Sequence, residues 1–122
     1  LWALAREQFG APIGSFQAIQ HLLADMYVRT AMARSSVYAA AATLDDPGTG
    51  DPARAGAAAK LLAGDAARDN ARTAIQIHGG MGFTWAMPPH YLLKRAWVLE
   101  HAFGDGDRHA LALGAAIEDG LA

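Results

Sequence analysis

The sequence predicts an all-α protein, built as an up-and-down antiparallel helical bundle. Three observations favour this fold class. Alanine, the strongest helix former, is the most frequent residue of the chain. The runs of β-branched residues that are typical of strands are absent. Long segments place apolar residues alternately three and four positions apart, which is the spacing of one helix face.

The first element is the end of a helix, from Leu1 to about Gln8, which we expect to stop before Gly10. Ser15 is a candidate N-cap for the next helix. That helix spans about residues 16–44 and would be ~43 Å long at about 1.5 Å per residue. Its predicted buried face consists of Phe16, Ile19, Leu23, Met26, Thr30, Ala33, Val37, Ala40 and Leu44.

A third helix follows the turn residues of Asp45–Gly50. Asp51 is its candidate N-cap, Pro52 its first residue, and it runs to about His78. A fourth helix covers about residues 90–102, and its inward residues are expected to be Leu92, Ala96 and Leu99. Asp107 is the expected cap of a last helix through Ile117. The basic face of the third helix, interleaved with aspartates, is expected to be solvated.

Composition limits the classes of function. The formal net charge of −2 gives no field for nucleic acid, and the chain has no cysteine for disulfides or thiolate chemistry. No apolar run approaches the ~18 residues of a membrane span, so we expect no membrane partner and a cytoplasmic location. The chain begins inside a helix without Met. It is therefore expected to be a fragment of a longer polypeptide, forming one domain over residues 1–122.

The first motif with chemical interest is Arg6-Glu7-Gln8-Phe9-Gly10. Arginine carries a permanent charge on a planar fork that matches phosphate, and a phenylalanine three residues later can cover an adenine ring. The alternative is a surface arginine followed by a core phenylalanine at a helix end. The spacing alone leaves both interpretations open.

The second motif, Gln76-Ile77-His78-Gly79-Gly80-Met81-Gly82, lies about seventy residues later. Glycines let a ligand approach the backbone closely, and a glutamine one turn earlier can donate to a phosphate or a ribose. The alternative is an ordinary glycine C-cap beside an incidental glutamine. The further glycine at position 82 indicates that the backbone of this loop must adopt a shape that favours glycine.

Metal and nucleophile chemistry have little support in the sequence. The five histidines show no zinc-binding spacing, and His101 and His109 flank a Gly-Asp-Gly turn whose aspartates are explained by capping. No Ser-His-Asp arrangement and no phosphate loop followed by lysine is present. We therefore predict no metal ligand and no catalytic residue in this chain.

With both motifs placed, the chain resembles the C-terminal domain of the acyl-CoA dehydrogenase flavoproteins. The signature Arg-x-x-Phe-Gly-x-x-Ile-x-x-Phe-Gln occurs from Arg6 through Gln17, and Gln-x-x-Gly-Gly-x-Gly-Phe-Thr occurs from Gln76 through Thr84. The resemblance covers nearly the whole chain. It implies a four-helix bundle, here with its first helix largely missing, that supports FAD and forms the main oligomer contact.

The resemblance also implies roles for single residues. By position, Arg6, Gln8 and Phe9 would contact the pyrophosphate and adenine of FAD. The glutamine and double glycine, carried over to Gln76, Gly79 and Gly80, would reach the FAD of the neighbouring subunit. A site divided between protomers would make a dimer or tetramer obligatory for tight flavin binding.

One departure from the family concerns the catalytic base. Many members carry a glutamate in a Tyr-Glu-Gly-Thr turn before the last helix, where this chain has Ala102-Phe103-Gly104-Asp105. Phenylalanine cannot act as a base. Some members place the glutamate on the first helix of this domain, upstream of Leu1. The turn resembles that of an actinobacterial branch, which includes subunits without the base. Glu100 and Glu118 are poor substitutes by position.

The resemblance therefore implies the FAD-binding and oligomerisation domain of an enzyme of fatty acid metabolism. The full enzyme would oxidise an acyl-CoA thioester at Cα–Cβ, bind that substrate through absent domains, and pass electrons to an electron-transfer flavoprotein. The domain alone would be inactive. Two alternatives stay open: a catalytically silent assembly subunit that stabilises an active partner, in a homo- or hetero-oligomer, and a helical interaction module that needs no flavin.

Overall fold

The computed structural model describes residues 2–119, and five α-helices dominate it. The helices are α1 (Trp2–Ala5), α2 (Gln17–Asp45), α3 (Pro52–His78), α4 (Pro89–His101) and α5 (Gly106–Asp119). Two very short strands, β1 (Glu7–Gln8) and β2 (Ala11–Pro12), form a hairpin, and 3-10 turns lie at Ile13–Ser15, Pro47–Thr49 and Gly79–Phe83. The predicted all-α class is confirmed. Leu1 and residues 120–122 of the predicted domain lie outside the described residues.

Helix α3 is the centre of the bundle. It packs against α2, α4 and α5, whereas α2 makes at most marginal contact with α4 and α5. The core is built of small residues, and no large side chain of the described residues is completely buried. Its apolar members are Ile13, Ala40, Ala57, Ala59, Ala66, Ala71, Ile75, Ile77 and Ala96.

The two long helices lie where the sequence predicts them. Asp51 caps α3 by accepting a hydrogen bond from the Ala53 N–H at 2.8 Å, and Pro52 is its first residue. Helix α2 begins and ends within one residue of its predicted bounds. The predicted cap of α2 is wrong, because the Ser15 hydroxyl donates backwards to the Pro12 carbonyl at 2.7 Å and Phe16 occupies the N-cap position.

Two helix ends differ from prediction. Helix α1 ends at Ala5 rather than near Gln8, because the Arg6 carbonyl accepts from the Ile13 N–H at 2.8 Å and directs the chain into the hairpin. At α5, the cap is Asp105 rather than Asp107. The Asp105 carboxylate accepts from the Arg108 N–H at 2.9 Å, and the helix begins one residue later, at Gly106.

The buried faces of α2 and α4 are rotated from the predicted ones. The predicted residues Leu23, Thr30, Val37 and Leu44 are exposed, and Leu22 and Ser36 turn inward instead. The other predicted residues face inward, namely Phe16, Ile19, Met26, Ala33 and Ala40. Helix α2 packs along one neighbour, α3, so one flank of its apolar stripe stays uncovered. In α4, Ala96 is buried as predicted. Leu92 and Leu99 are exposed, and the inward positions of α4 are Pro89, Leu93, Ala96 and Glu100.

Part of the basic face of α3 joins two helices, whereas Arg54 and Arg72 of that face lie in solvent. The Arg68 guanidinium donates to Asp65 at 2.7 Å and to Glu100 of α4 at 2.8 Å, and Lys60 Nζ donates to the Leu99 carbonyl at 2.7 Å. Burial lowers the pKa of Arg68, but its hydrogen bonds and charge interactions with Asp65 and Asp69 outweigh burial and raise that pKa. The expectation of a solvated face is therefore wrong for Lys60 and Arg68 and holds for Arg54 and Arg72.

This α3–α4 link gives a stability prediction. The side chains of Arg68 and Glu100 are 25% and 26% exposed, so solvent screens their pair only in part. We expect Arg68→Ala to lower the free energy of unfolding by about 1–2 kcal/mol in urea titrations. Arg54→Ala, on the same helix and without an ion pair among residues 2–119, is the control, expected within about 0.5 kcal/mol of the parent. Equal losses in both variants would contradict the assignment.

A second prediction concerns association. Helix α2 exposes a row of large apolar side chains: Leu23, Tyr27, Val28, Met32, Val37, Tyr38 and Leu44. Apolar patches of this kind mark contact surfaces. We expect the 122-residue chain to self-associate in sedimentation velocity, and Val28→Glu with Met32→Glu to weaken that association. Leu111→Glu, at an exposed position of α5, is the control. A monomer over a wide concentration range would contradict the prediction.

Candidate functional site

The hairpin after α1 presents an aromatic ring to solvent. Phe9 and Gly10 form its two-residue loop, with φ values of +54° and +79°, while Gln8 pairs with Ala11. Two successive positive φ values are typical of a type I′ turn, which favours Gly at its second position but strains a phenylalanine at its first. The Phe9 residue is nevertheless 95% exposed and touches the Phe16 ring only edge-on, at 6.3 Å between centroids. An exposed aromatic side chain on a strained backbone is typical of a functional position.

Arg6 has a fixed backbone and an exposed side chain. Its N–H donates to the Trp2 carbonyl at 2.9 Å, and its carbonyl accepts from the Ile13 N–H at 2.8 Å. Within residues 2–119 its guanidinium forms no salt bridge and no side-chain hydrogen bond. The position of Arg6 is thus set by the backbone, while its charge is available for an anion.

The end of α3 supplies the opposite wall. Gly79 is the C-cap, with φ +61° and its N–H donating to the Gln76 carbonyl. A Cβ placed on Gly79 or Gly80 would meet nothing within 4 Å, so both glycines face open space. Gly82 differs, because its Cβ would lie 2.6 Å from the Ile75 carbonyl oxygen. Gly79 and Gly80 therefore keep this surface free of side chains, whereas Gly82 allows the loop to pack on α3.

The six predicted site residues line a single cleft. Arg6, Gln8 and Phe9 come from the α1–hairpin segment, and Gln76, Gly79 and Gly80 from the end of α3. The cleft has a volume of about 550 Å³, and no carboxylate is among its described lining residues. This lining suits a ligand with a phosphate and a planar base, because it offers a cation, two side-chain amides, an exposed ring and two glycine backbones.

The sequence missed part of this cleft. Trp2 and His78 also line it and stack on each other, with ring centroids 4.9 Å apart and planes 17° from parallel. Neither residue is among the six predicted site residues. The position of His78 next to the glycine pair was the one signal available. Phe16, Ile19 and Met81 complete the lining with Ile13 and Ile77.

The turn before α5 has one carboxylate, Asp105, which is used as the cap of that helix. Phe103 has φ +64° and is 95% exposed, and its carbonyl accepts from His109 Nε2 at 3.1 Å. Glu100, the nearest carboxylate on α4, is held by Arg68. Among residues 2–119, no three His, Asp or Glu side chains converge as a metal site requires. None of the helices in this range has the length and hydropathy of a membrane span.

Comparison with known proteins gives consistent matches over this chain. The sequence profile described as "Acyl-CoA dehydrogenase, C-terminal domain" matches residues 1–118. The acyl-CoA dehydrogenase FadE34 of Mycobacterium tuberculosis is 43% identical over 108 residues, which are 88% of this chain and 15% of that protein.

Solved structures agree with the sequence comparison. Butyryl-CoA dehydrogenase from Megasphaera elsdenii superposes with a TM-score of 0.87 at 31% identity, over 95% of this chain and 30% of that one. The ChsE4–ChsE5 complex from Mycobacterium tuberculosis gives 0.86 at 32% identity, over 96% and 31%. The chain therefore spans less than a third of the length of these relatives.

Proposed function

The chain belongs to the acyl-CoA dehydrogenase family, as its C-terminal domain, and from this premise we propose that the cleft holds the adenosine diphosphate part of FAD. Arg6 pairs with the pyrophosphate, Phe9 covers the adenine, and Gln8 donates a hydrogen bond beside them. The single observation that carries the proposal is that both motifs, distant in sequence, line one cleft without a carboxylate.

The residues present fit this group. Gly79 and Gly80 leave space that a Cβ would fill, so a phosphate can approach the backbone there. Gln76 is exposed one helical turn earlier on the same side of the cleft. Because the two motifs share the cleft, we propose that they hold one flavin, rather than the flavins of two neighbouring subunits as the resemblance implies. A second protomer would supply the rest of that flavin's site, which makes the domain a part of an oligomer.

The proposed activity belongs to the whole protein, of which residues 1–122 form one domain. FAD held by these residues would supply the acceptor for the hydride equivalent released when an acyl-CoA thioester is oxidised at Cα–Cβ, and an electron-transfer flavoprotein is the proposed electron acceptor. This chain's own residues bind and orient the cofactor and build the oligomer contact. The proposed location is the cytoplasm, to be tested by cell fractionation.

One observation favours a second candidate, a catalytically silent assembly subunit. The one carboxylate of the turn at residues 102–105, Asp105, caps α5 by accepting from the Arg108 N–H, and Glu100 is paired with Arg68 at 2.8 Å. The similarity to the ChsE4–ChsE5 complex supports pairing with a different chain. A glutamate on the helix preceding this chain would instead favour the enzyme, and a helical module without flavin is the third possibility.

The test is the visible spectrum of the purified protein that carries this chain, followed by addition of acyl-CoA thioesters. A flavin band that bleaches supports the dehydrogenase. A flavin band that no acyl-CoA bleaches supports the silent subunit. A colourless protein that takes up no FAD on titration would overturn the flavin assignment of the cleft and leave the helical module.

A further inference from the structure

The stacked rings of Trp2 and His78 lie between two pockets of the protein. On one side lies the cleft, and on the other an apolar cavity of about 570 Å³ between α1, α2 and α3. Trp2, Ile77 and His78 line both.

Each ring of the stack is attached closely to one motif. The Arg6 N–H donates to the Trp2 carbonyl at 2.9 Å, so Trp2 and Arg6 belong to the same turn. His78 is the last residue of α3 and immediately precedes Gly79. Its Nδ1 donates to the Ala74 carbonyl at 2.7 Å, which fixes the ring plane to the helix.

Among the described residues, packing rather than hydrogen bonding holds the indole of Trp2. Its indole Nε1 is buried without a hydrogen-bond partner among residues 2–119. Helix α1 packs mainly on the turn at Ile13–Ser15, where the Cβ position of Gly14 lies 2.9 Å from the Ala3 carbonyl oxygen. The stack is a direct contact between this α1–hairpin segment and the end of α3 at the cleft.

We infer that Trp2 and His78 are positioning residues of the cleft: their stack sets the distance between the arginine of one motif and the glycine backbone of the other. The inference rests on the proposed function where it concerns FAD. The two residues act through Arg6 and Gly79, because a ligand bound by both walls is held tightly only when the walls keep a fixed separation.

Flavin titration followed by fluorescence quenching tests the inference. Trp2→Ala and His78→Ala should each weaken FAD binding about tenfold, and the double variant should be no weaker than either single one. Trp2→Phe, which keeps a stacking ring, should stay within about threefold of the parent. Trp85→Ala removes an exposed indole that lies outside the cleft lining and should change nothing. Unchanged affinity in Trp2→Ala, or additive losses, would overturn the inference.

A second measurement needs no flavin. The chain has no cysteine, so Glu7→Cys and Arg72→Cys give two unique sites for spin labels on the exposed surfaces of the hairpin and α3. The distance distribution between the labels should be narrow in the parent and broader in Trp2→Ala. An unchanged distribution would reject the stack as a positioning device. A broader one, in a protein that binds no FAD, would reject the flavin proposal alone.

Discussion

Arg6→Gln is expected to weaken FAD binding by roughly 10- to 100-fold while leaving the melting temperature within about 2 °C of the parent. The substitution removes the one fixed positive charge in the cleft lining, which pairs with no other described residue. Hydrogen bonds to charged groups are the strong ones, and arginine can bind a pyrophosphate with two donors at once. The measurement is the dissociation constant of FAD at low and at high salt.

Two variants control this prediction. Arg34→Gln removes an exposed arginine of α2 that lies outside the cleft, and it should bind FAD like the parent. Arg6→Lys keeps the charge but loses the planar fork, so its affinity should lie between those of the parent and Arg6→Gln. The salt dependence of binding should fall in Arg6→Gln, since one charge contact is lost. Equal affinity of Arg6→Gln and Arg34→Gln would rule out the phosphate role of Arg6.

Gly82→Ala is expected to lower the free energy of unfolding by about 2–3 kcal/mol and the melting temperature by about 10 °C. Its new Cβ would lie 2.6 Å from the Ile75 carbonyl oxygen and 3.0 Å from the Ile75 Cα. These are backbone atoms of α3, which no rotamer change can move away. The loop after α3 must then separate from the helix, and thermal unfolding monitored by circular dichroism measures the cost.

Gly80→Ala is the matched variant for Gly82→Ala. It adds the same methyl group in the same loop, but that methyl meets nothing within 4 Å. We expect it to retain the parent's melting temperature within about 3 °C and to bind FAD more weakly, because the methyl occupies cleft space. Stability and ligand binding would thereby be assigned to different glycines of one motif. Similar melting temperatures for both variants would contradict the packing role of Gly82.

The sequence predicted most of the helices because their ends carry local signals. Asp51 and Pro52 begin α3 and Gly79 ends it, and each acts through atoms within a few residues of itself. The end of α1 has no such local signal in the sequence. It depends on the Arg6–Ile13 hydrogen bond, which closes the hairpin over seven residues.

The rotated face of α2 has a different cause. Apolar residues stand next to each other at positions such as Leu22 and Leu23, so the spacing allowed either one to be buried. Which of the two leucines is buried depends on packing against α3, the one helix against which α2 packs extensively. Tertiary contacts of this kind are outside the reach of a periodicity argument.

The sequence predicted only some of the residues that line the cleft, for a related reason. Its six expected residues came from the family resemblance of two motifs, whose chemistry alone left other interpretations open, and the structure brings them to one place. Trp2 and His78 carry no such signal alone, since stacking arises only when α1 is folded beside the end of α3. Whether the six residues bind FAD stays a prediction of the titrations above.

The alanine core has a consequence for the thermodynamics of this domain. Burying alanine removes little apolar surface from water, so the heat capacity and enthalpy of unfolding should be small for a chain of this length. The larger leucine, tyrosine and valine side chains of α2 can add their share only when another molecule covers them. Folding and assembly are then linked equilibria, and the midpoint of thermal unfolding should rise with protein concentration.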